Sequence, residues 1–408
     1  MKIKHTLTVA TFAFCASTYG AGYQIIEQGA ANMGTAMAGS TANANNDTSC
    51  AFWNPSAAAF ISLEEGETRV DNTVSVVMPT LVFEDAGSYS ALGGPVKNNG
   101  VCSSNNVLPN FSMVHKFTDD ILGTFSFTAP YGLESNYESD WVGRAYARRS
   151  YLFTMDFNPS IVYKVTDWFS ISGGVSAQYA YCTLTSNLMG DEIDFTGENW
   201  SVGGNVGFTI QYAEDGRFGF NWRSAVDYTL EGHAHANDMT LAAITADMHM
   251  PNTFTMGIYQ RLRGDFKEFA VMAEYAYNMW SCFESLEIKG YPVDPVEMDW
   301  KDTSRVAIGF HYYPKYFEDK MTIRIGSSFD ESPVRSPTAK TARIPCCDRV
   351  WLSGGIGYDF DICTVDLSYT YIFLVGNDEI NRKETGGLIK GNYWGHIHVV
   401  SVQVGFKF

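Results

Sequence analysis

Along residues 394–408 the side chains sort into two sets. Stepping back by two from Phe408, one set holds Phe406, Val404, Val402, Val400, His398, His396 and Trp394. The other holds Lys407, Gly405, Gln403, Ser401, Val399, Ile397 and Gly395. A period of two marks a strand whose faces meet different surroundings. One face is apolar and the other mostly small or polar. The alternation recurs upstream. Val365, Leu367, Tyr369, Tyr371 and Phe373 alternate with Thr364, Asp366, Ser368 and Thr370. Phe169, Ile171, Val175, Ala177, Tyr179 and Tyr181 oppose Ser170, Ser172, Ser176 and Gln178, and Val202, Val206, Phe208, Ile210 and Tyr212 oppose Asn205, Thr209 and Gln211. These runs exceed the ~6 residues usual in a β-sandwich strand. They suit tilted strands crossing an apolar membrane band of ~25 Å.

The connections sharpen this. Tight polar turns fall at 118–120, 165–168, 213–217, 263–267, 314–319 and 359–362. Between them lie longer stretches near 84–104, 130–149, 184–199, 231–250, 283–302, 330–349 and 376–392. Six short turns alternate with seven long loops, and thirteen connections join fourteen strands. Short turns at one end and long loops at the other are the plan of an outer-membrane barrel, with the chain's tail at the periplasmic rim. The pattern predicts an all-β fold: a 14-stranded antiparallel transmembrane β-barrel over residues 67–408.

The segments before the barrel follow different rules. Lys2 and Lys4 precede an apolar run from Leu7 to Ala16, and Thr18 and Gly20 stand at −3 and −1 of a cut before Ala21. That is the form of a secretory signal peptide, residues 1–20. Phe14 before Cys15 is too bulky for a lipoprotein cleavage site. Residues 21–66 are rich in Gly, Ala and Asn and show no useful alternation. A fourteen-strand barrel is too wide for its own side chains to fill. The segment is therefore expected to fold inward as an N-terminal hatch, or plug, inside the lumen, the alternative being a flexible periplasmic tail.

Composition narrows the function. The chain has 28 Lys and Arg against 45 Asp and Glu, and losing Lys2 and Lys4 leaves 26 against 45, a net −19. Such a surface repels nucleic acid. Mean hydropathy is −0.12, and no run reaches the ~18 apolar residues of a spanning helix. Aromatic residues make up 14%, as expected where girdles flank a membrane. The seven cysteines left after cleavage, Cys50, Cys102, Cys182, Cys282, Cys346, Cys347 and Cys363, contain no CxxC and cannot all pair. A loop-to-loop bridge stays open. No metal-ligand spacing occurs, and neither metal nor cofactor is expected. His115, His233, His235, His249 and His311 have no Ser or acid at a recognisable catalytic spacing, so an enzyme is not expected.

Several stretches resemble one family, the outer-membrane long-chain fatty acid transporters of the FadL/TodX type (OMPP1). The segment "AGYQIIEQGAANMGTAMAG" with "NDTSCAFWNPSA" is similar to the family's hatch, including an Asn-Pro-Ala signature that reads Asn54-Pro55-Ser56 here. "WKDTSRVAIGFHYY", "RIGSSFDESPV" and "IPCCDRVWLSGGIGYDF" resemble later strands and loops in order and spacing. The resemblance runs from Ala21 to Phe408. It implies fourteen strands around a hatch, and ligands that leave sideways through the wall.

Site residues carry over one at a time. A family Lys at the outer end of a strand, thought to meet the fatty acid carboxylate, matches Lys301. The alternative is a solvated loop Lys near Asp299 and Asp302. A carboxylate in an apolar pocket needs a cation to stay charged. The family's partnering Arg is replaced by Tyr181-Cys182-Thr183. Tyr23 and Gln24 begin the hatch where the family's N-terminus reaches the ligand pocket. Asn54, Pro55 and Ser56 hold backbone shape, since Pro fixes φ and Asn bonds its own turn. Met239–Ile244 in the fourth outer loop either greets a greasy ligand or packs on neighbouring loops. Pro130 and Gly132, in the third strand, either end that strand or mark a lateral window where pairing fails. Glu274, Arg324 and Asp366 point into the lumen, solvated or paired.

The function expected is uptake of hydrophobic molecules by diffusion through a plugged barrel with lateral exit, long-chain fatty acids being the leading class. The alternatives are aromatic hydrocarbons or other apolar compounds on the same fold, then an outer-membrane lipid hydrolase or a general porin. The expected partners are the ligand, outer-membrane lipids and the barrel-assembly machinery, with the chain acting as a monomer in the outer membrane.

Overall fold

In the computed structural model, residues 22–91, 97–188, 190–237, 239–384 and 387–408 are described. The expected signal peptide, residues 1–20, lies outside the described residues. From Thr68 onward the alternating segments form a closed barrel of 14 antiparallel strands. They are β1 Thr68–Asp85, β2 Asn106–Lys116, β3a Ile121–Thr128 with β3b Gly132–Asn136, β4 Arg149–Thr166 and β5 Phe169–Leu188. Next come β6 Asp191–Ala213, β7a Gly216–Arg223 with β7b Val226–Ala236, and β8a Met239–Met250 with β8b Thr253–Arg261. The ring is completed by β9 Phe269–Asn278, β10 Thr303–Tyr312, β11 Met321–Asp330, β12 Asp348–Asp359, β13 Thr364–Val375 and β14 Gly387–Lys407.

Each strand pairs with its neighbour in sequence. The ring closes where β1 meets β14, from Arg69↔Lys407 to Asp85↔Gly391. Closure removes the unpaired edges that hydrocarbon would not tolerate. Side-chain direction follows the expected phase: Ser401 and Gln403 are buried, whereas Val400, Val402 and Phe406 are exposed. The exposed set of the ring, which includes Val202, Ile308 and Ile325, is the lipid-facing band.

Two expected long loops are not loops. The stretch 184–199 is taken up by β5 and β6, which run on to Leu188 and restart at Asp191. The stretch 231–250 is likewise β7b and β8a, turning between Ala236 and Met239. Met239–Ile244 therefore belongs to a strand. The physical reason is local: beyond the membrane the alternation reverses, with Ile193, Phe195, Ala234 and Ile244 packed inward and polar residues such as Thr183, Asp194 and Thr196 alternating with them, while the ladder continues.

The segment before β1 packs against side chains of the ring. Residues 22–58 are buried apart from the partly exposed Gln24, Asn45 and Asn46. The segment contains two short helices, Ala30–Met33 and Cys50–Trp53, and a 3₁₀ turn at Pro55–Phe60. Barrel side chains grip it from around the ring. Asp71 on β1 accepts bonds from Thr48 N (2.8 Å) and Oγ1 (2.7 Å). Glu274 on β9 accepts from Ser40 Oγ (2.6 Å) and Thr41 N (2.8 Å). Arg324 Nε on β11 donates to Asn45 Oδ1 (2.8 Å), and Gln403 Nε2 on β14 donates to Asp47 Oδ2 (3.0 Å). The lumen charges are paired rather than solvated: Arg324 with Asp366 at 2.7 Å, and Arg305 with Glu274 at 3.3 Å.

Candidate ligand-binding site

The Asn-Pro-Ser motif sits deep in this packing. Asn54 is fully buried, and its Nδ2 donates to Thr41 O (2.9 Å) and to Thr209 Oγ1 on β6 (3.0 Å). Ser56 Oγ donates to Asn54 Oδ1 (2.7 Å), and Pro55 opens the 3₁₀ turn. These residues touch backbone and wall, and none lines an apolar cavity described below.

Tyr23 stands at the floor of an apolar chamber. Its ring meets Trp280 at 4.7 Å, Trp300 at 5.5 Å, Phe283 at 5.8 Å and Tyr131 at 6.2 Å between centroids. Gly22, at φ +68°, is pressed against both Trp rings, and a Cβ there would come within 2.9 Å of each. Above Tyr23 an inner cavity of about 60 Å³ is walled by Leu133, Leu152, Cys182, Met248, Phe283 and Met298. An outer cleft of about 180 Å³ adjoins it, lined by Leu188, Ile193, Phe195, Ile288 and Tyr291. The two share Leu184, Leu286, Val296, Thr341 and Arg343. A larger space of about 620 Å³ opens among the short turns, but Lys164, Asp167, Asp215, Asp319 and Lys320 line it, which suits water.

Lys301 lines neither apolar cavity. Its Nζ bonds the Glu331 carboxylate, both partly exposed. The cation that does reach both cavities is Arg343, in the loop between β11 and β12. Its guanidinium donates to neutral acceptors on β4 and β5: Arg149 O (3.3 Å), Ser150 Oγ (3.2 Å), Thr185 O (3.3 Å) and Ser186 Oγ (2.7 Å). Burial lowers its pKa to about 10, which leaves it charged at neutral pH. Sequence reasoning missed Arg343, because an irregular loop has no period to sort its side chains.

Beside Tyr23 the wall is broken. The β2–β3a ladder ends at Phe111↔Phe127, and β3b pairs with β4 but not with β2. Thr128 pairs with Asp156 and Gly132 with Phe153, so three residues of the third strand face two of β4. This is a bulge at Ala129-Pro130-Tyr131. The buried N-terminal segment occupies the break. Ile25 N donates to Pro130 O (2.8 Å), Gly132 N donates to Tyr23 O (2.9 Å), and Gln24 bridges Tyr131 antiparallel. Gln28 Nε2 reaches Ala129 O (3.0 Å), and Asn110 Nδ2 on β2 reaches Glu27 O (3.0 Å). Tyr23, Gln24, Pro130 and Gly132 thus converge, whereas the bonds of Lys301 and of Asn54-Pro55-Ser56 go to other residues.

Known proteins share this architecture. A family model described as outer membrane protein transport protein (OMPP1/FadL/TodX) matches residues 9–408. The long-chain fatty acid transport protein of Escherichia coli (strain K12) is 24% identical, with 90% of this chain and 91% of that protein covered. Outer membrane protein P1 of Haemophilus influenzae is 24% identical over 90% of this chain and 89% of that protein. The crystal structure of a Pseudomonas aeruginosa FadL homologue superposes with a TM-score of 0.85 at 22% identity, covering 95% of this chain and 99% of that one. The CymD monoaromatic hydrocarbon channel gives a TM-score of 0.66 at 16% identity, with 95% and 99% covered. Members of the family are transport proteins and not enzymes. The chain belongs to the outer membrane protein transport protein family, OMPP1/FadL/TodX, and is a β-barrel transporter of the outer membrane.

Proposed function

We propose that this barrel takes up hydrophobic small molecules, long-chain fatty acids first among them, and releases them sideways into the membrane. One observation carries the reading: an apolar cleft and cavity lead from the outer hairpins to Tyr23, which sits at a break in the wall ladder that the N-terminal segment itself bridges. Leaving through the wall favours a greasy chain by ~0.8 kcal/mol per CH₂ kept out of water. Residues 21–66 act as the hatch, with Tyr23 and Gln24 contacting ligand and Pro130 and Gly132 framing the window. Asn54-Pro55-Ser56 holds the hatch in shape. Lys301 stays tied to Glu331 and serves the outer loops. The closed ring leaves no edge that calls for a second copy, so the chain works as a monomer among outer-membrane lipids after insertion by the barrel-assembly machinery. Relatives named for fatty acids support this ligand class, and no feature of the site favours aromatic hydrocarbons over it.

The test is uptake by proteoliposomes holding the purified protein, with oleate and toluene as probes, alongside mass spectrometry of lipid carried through purification. Oleate uptake above that of empty vesicles, with fatty acid recovered from the protein, is the expected result. Uptake of neither probe would overturn the reading.

A further inference from the structure

We infer that Arg343 is the residue by which this chain selects a carboxylate head group, which rests on the cavities being the ligand route. The family resemblance places such a cation at a strand end, where this chain has Lys301, and pairs it with an Arg that this chain lacks. Lys301 is already neutralised by Glu331 and lies outside both cavities. Arg343 stands at their junction.

Its surroundings are incomplete for a cation. All four acceptors are neutral, and among the described residues no carboxylate comes within ion-pair distance. Glu384, on the rim of the outer cleft, attracts the guanidinium only from beyond ion-pair distance and is itself engaged by Arg382 at 2.7 Å. A partly buried cation whose counter-charge lies beyond ion-pair distance is incompletely compensated, and an anion entering the cavity relieves that cost. The bonding pattern shows where the anion goes. Three of the four bonds run from Nη1 and one from Nη2, and Nε makes none. Nε–H, which has no acceptor among the described residues, lies on the edge with which an arginine receives a carboxylate side-on.

The ligand class is therefore an amphiphile with one carboxylate and an apolar body. Arg343 holds the head at the junction, and the tail lies against the apolar walls. A neutral hydrocarbon uses the same walls but gains nothing from the guanidinium. Arg343 thus sets the preference between the two, while the apolar walls set affinity in general. Charge is the selecting property.

The experiment compares oleate with oleyl alcohol, which has the same chain and no charge, for binding to the purified barrel in detergent. Arg343→Gln is expected to weaken oleate binding about tenfold or more and to leave oleyl alcohol within about twofold. Arg343→Lys, which keeps the charge but not the fork, should fall between. Lys301→Gln should leave both probes unchanged. Unchanged oleate binding in Arg343→Gln overturns the inference. Equal loss of both probes also overturns it, since Arg343 would then only brace the loop. Wild-type protein that binds neither probe is a separate outcome, which removes the proposed function itself and this inference with it.

Discussion

Lys301 and Arg343 show what a side chain's sequence surroundings reveal. Lys301 sits in a recognisable strand-end motif, so it drew attention, yet its Nζ is spent on Glu331. Arg343 sits in "TARIPCC", where neither period nor motif marks it, and only tertiary folding brings it to the cavities. Inside strands the reverse holds. Phase alone placed Glu274, Arg324 and Asp366 in the lumen, and they are there, nearly fully buried. What phase cannot supply is the partner. Arg324 bonds Asp366 at 2.7 Å and Asn45 at 2.8 Å, joining two strands and the buried N-terminal segment. Removing one member of a buried pair leaves a stranded charge, a cost of about 3–5 kcal/mol, whereas removing both is often nearly neutral. Arg324→Met should therefore lower the thermal unfolding midpoint clearly, and adding Asp366→Leu should restore more than half of the loss. A double variant as unstable as the single one would mean that the Asn45 bond, and not the ion pair, carries the stability.

Among the elements, the third strand was the most legible and the outer hairpins the least. Pro130 and Gly132 break the ladder rule by composition, since Pro has no N–H to donate and Gly marks bends. The break is where they stand. The β5–β6 and β7b–β8a hairpins were not recognised, because beyond the bilayer Thr183, Thr185, Asp194 and Thr196 replace the apolar outward residues and the apolar set moves to the inner face, out of phase with the membrane-spanning part. The break also has an occupant that no local pattern foretold, residues 23–25 pairing with 130–132. Gln24 and Tyr131 are flanked by the two backbone bonds and so form a non-hydrogen-bonded pair, the kind whose side chains lie closest. Cysteines at both positions should form a disulfide that fixes the bridge. On the proposed route, Gln24→Cys with Tyr131→Cys is expected to abolish oleate uptake under oxidising conditions and to recover it on reduction, with barrel assembly unchanged on a heat-modifiability gel. Full uptake with the crosslink shown by mass spectrometry would place the exit elsewhere.

At the scale of the molecule, two parts of different character pack together. The ring satisfies its own backbone, strand to strand, back to the β1–β14 seam. The N-terminal segment has almost no regular structure and is held by side chains that the ring supplies: Asp71, Arg217, Arg223, Glu274, Arg324 and Gln403. Strand number and chain direction were readable because a closed barrel repeats one pattern fourteen times. The path of the N-terminal segment was not, since its bonds are spread over strands from β1 to β14. This asymmetry predicts what deletion does. Without residues 22–66 the ring keeps every ladder bond, so it should still assemble and resist unfolding at room temperature in detergent. The lumen would lose its filling and expose Asp71, Glu274 and Arg324 to water, a wide polar channel in place of a packed one. Planar-bilayer conductance should then rise well above that of the intact protein. Selective oleate binding should vanish, because Tyr23 and the floor of the cavity leave with the segment. Unchanged conductance would mean that something other than this segment closes the lumen, and the hatch reading would fall even if uptake remained.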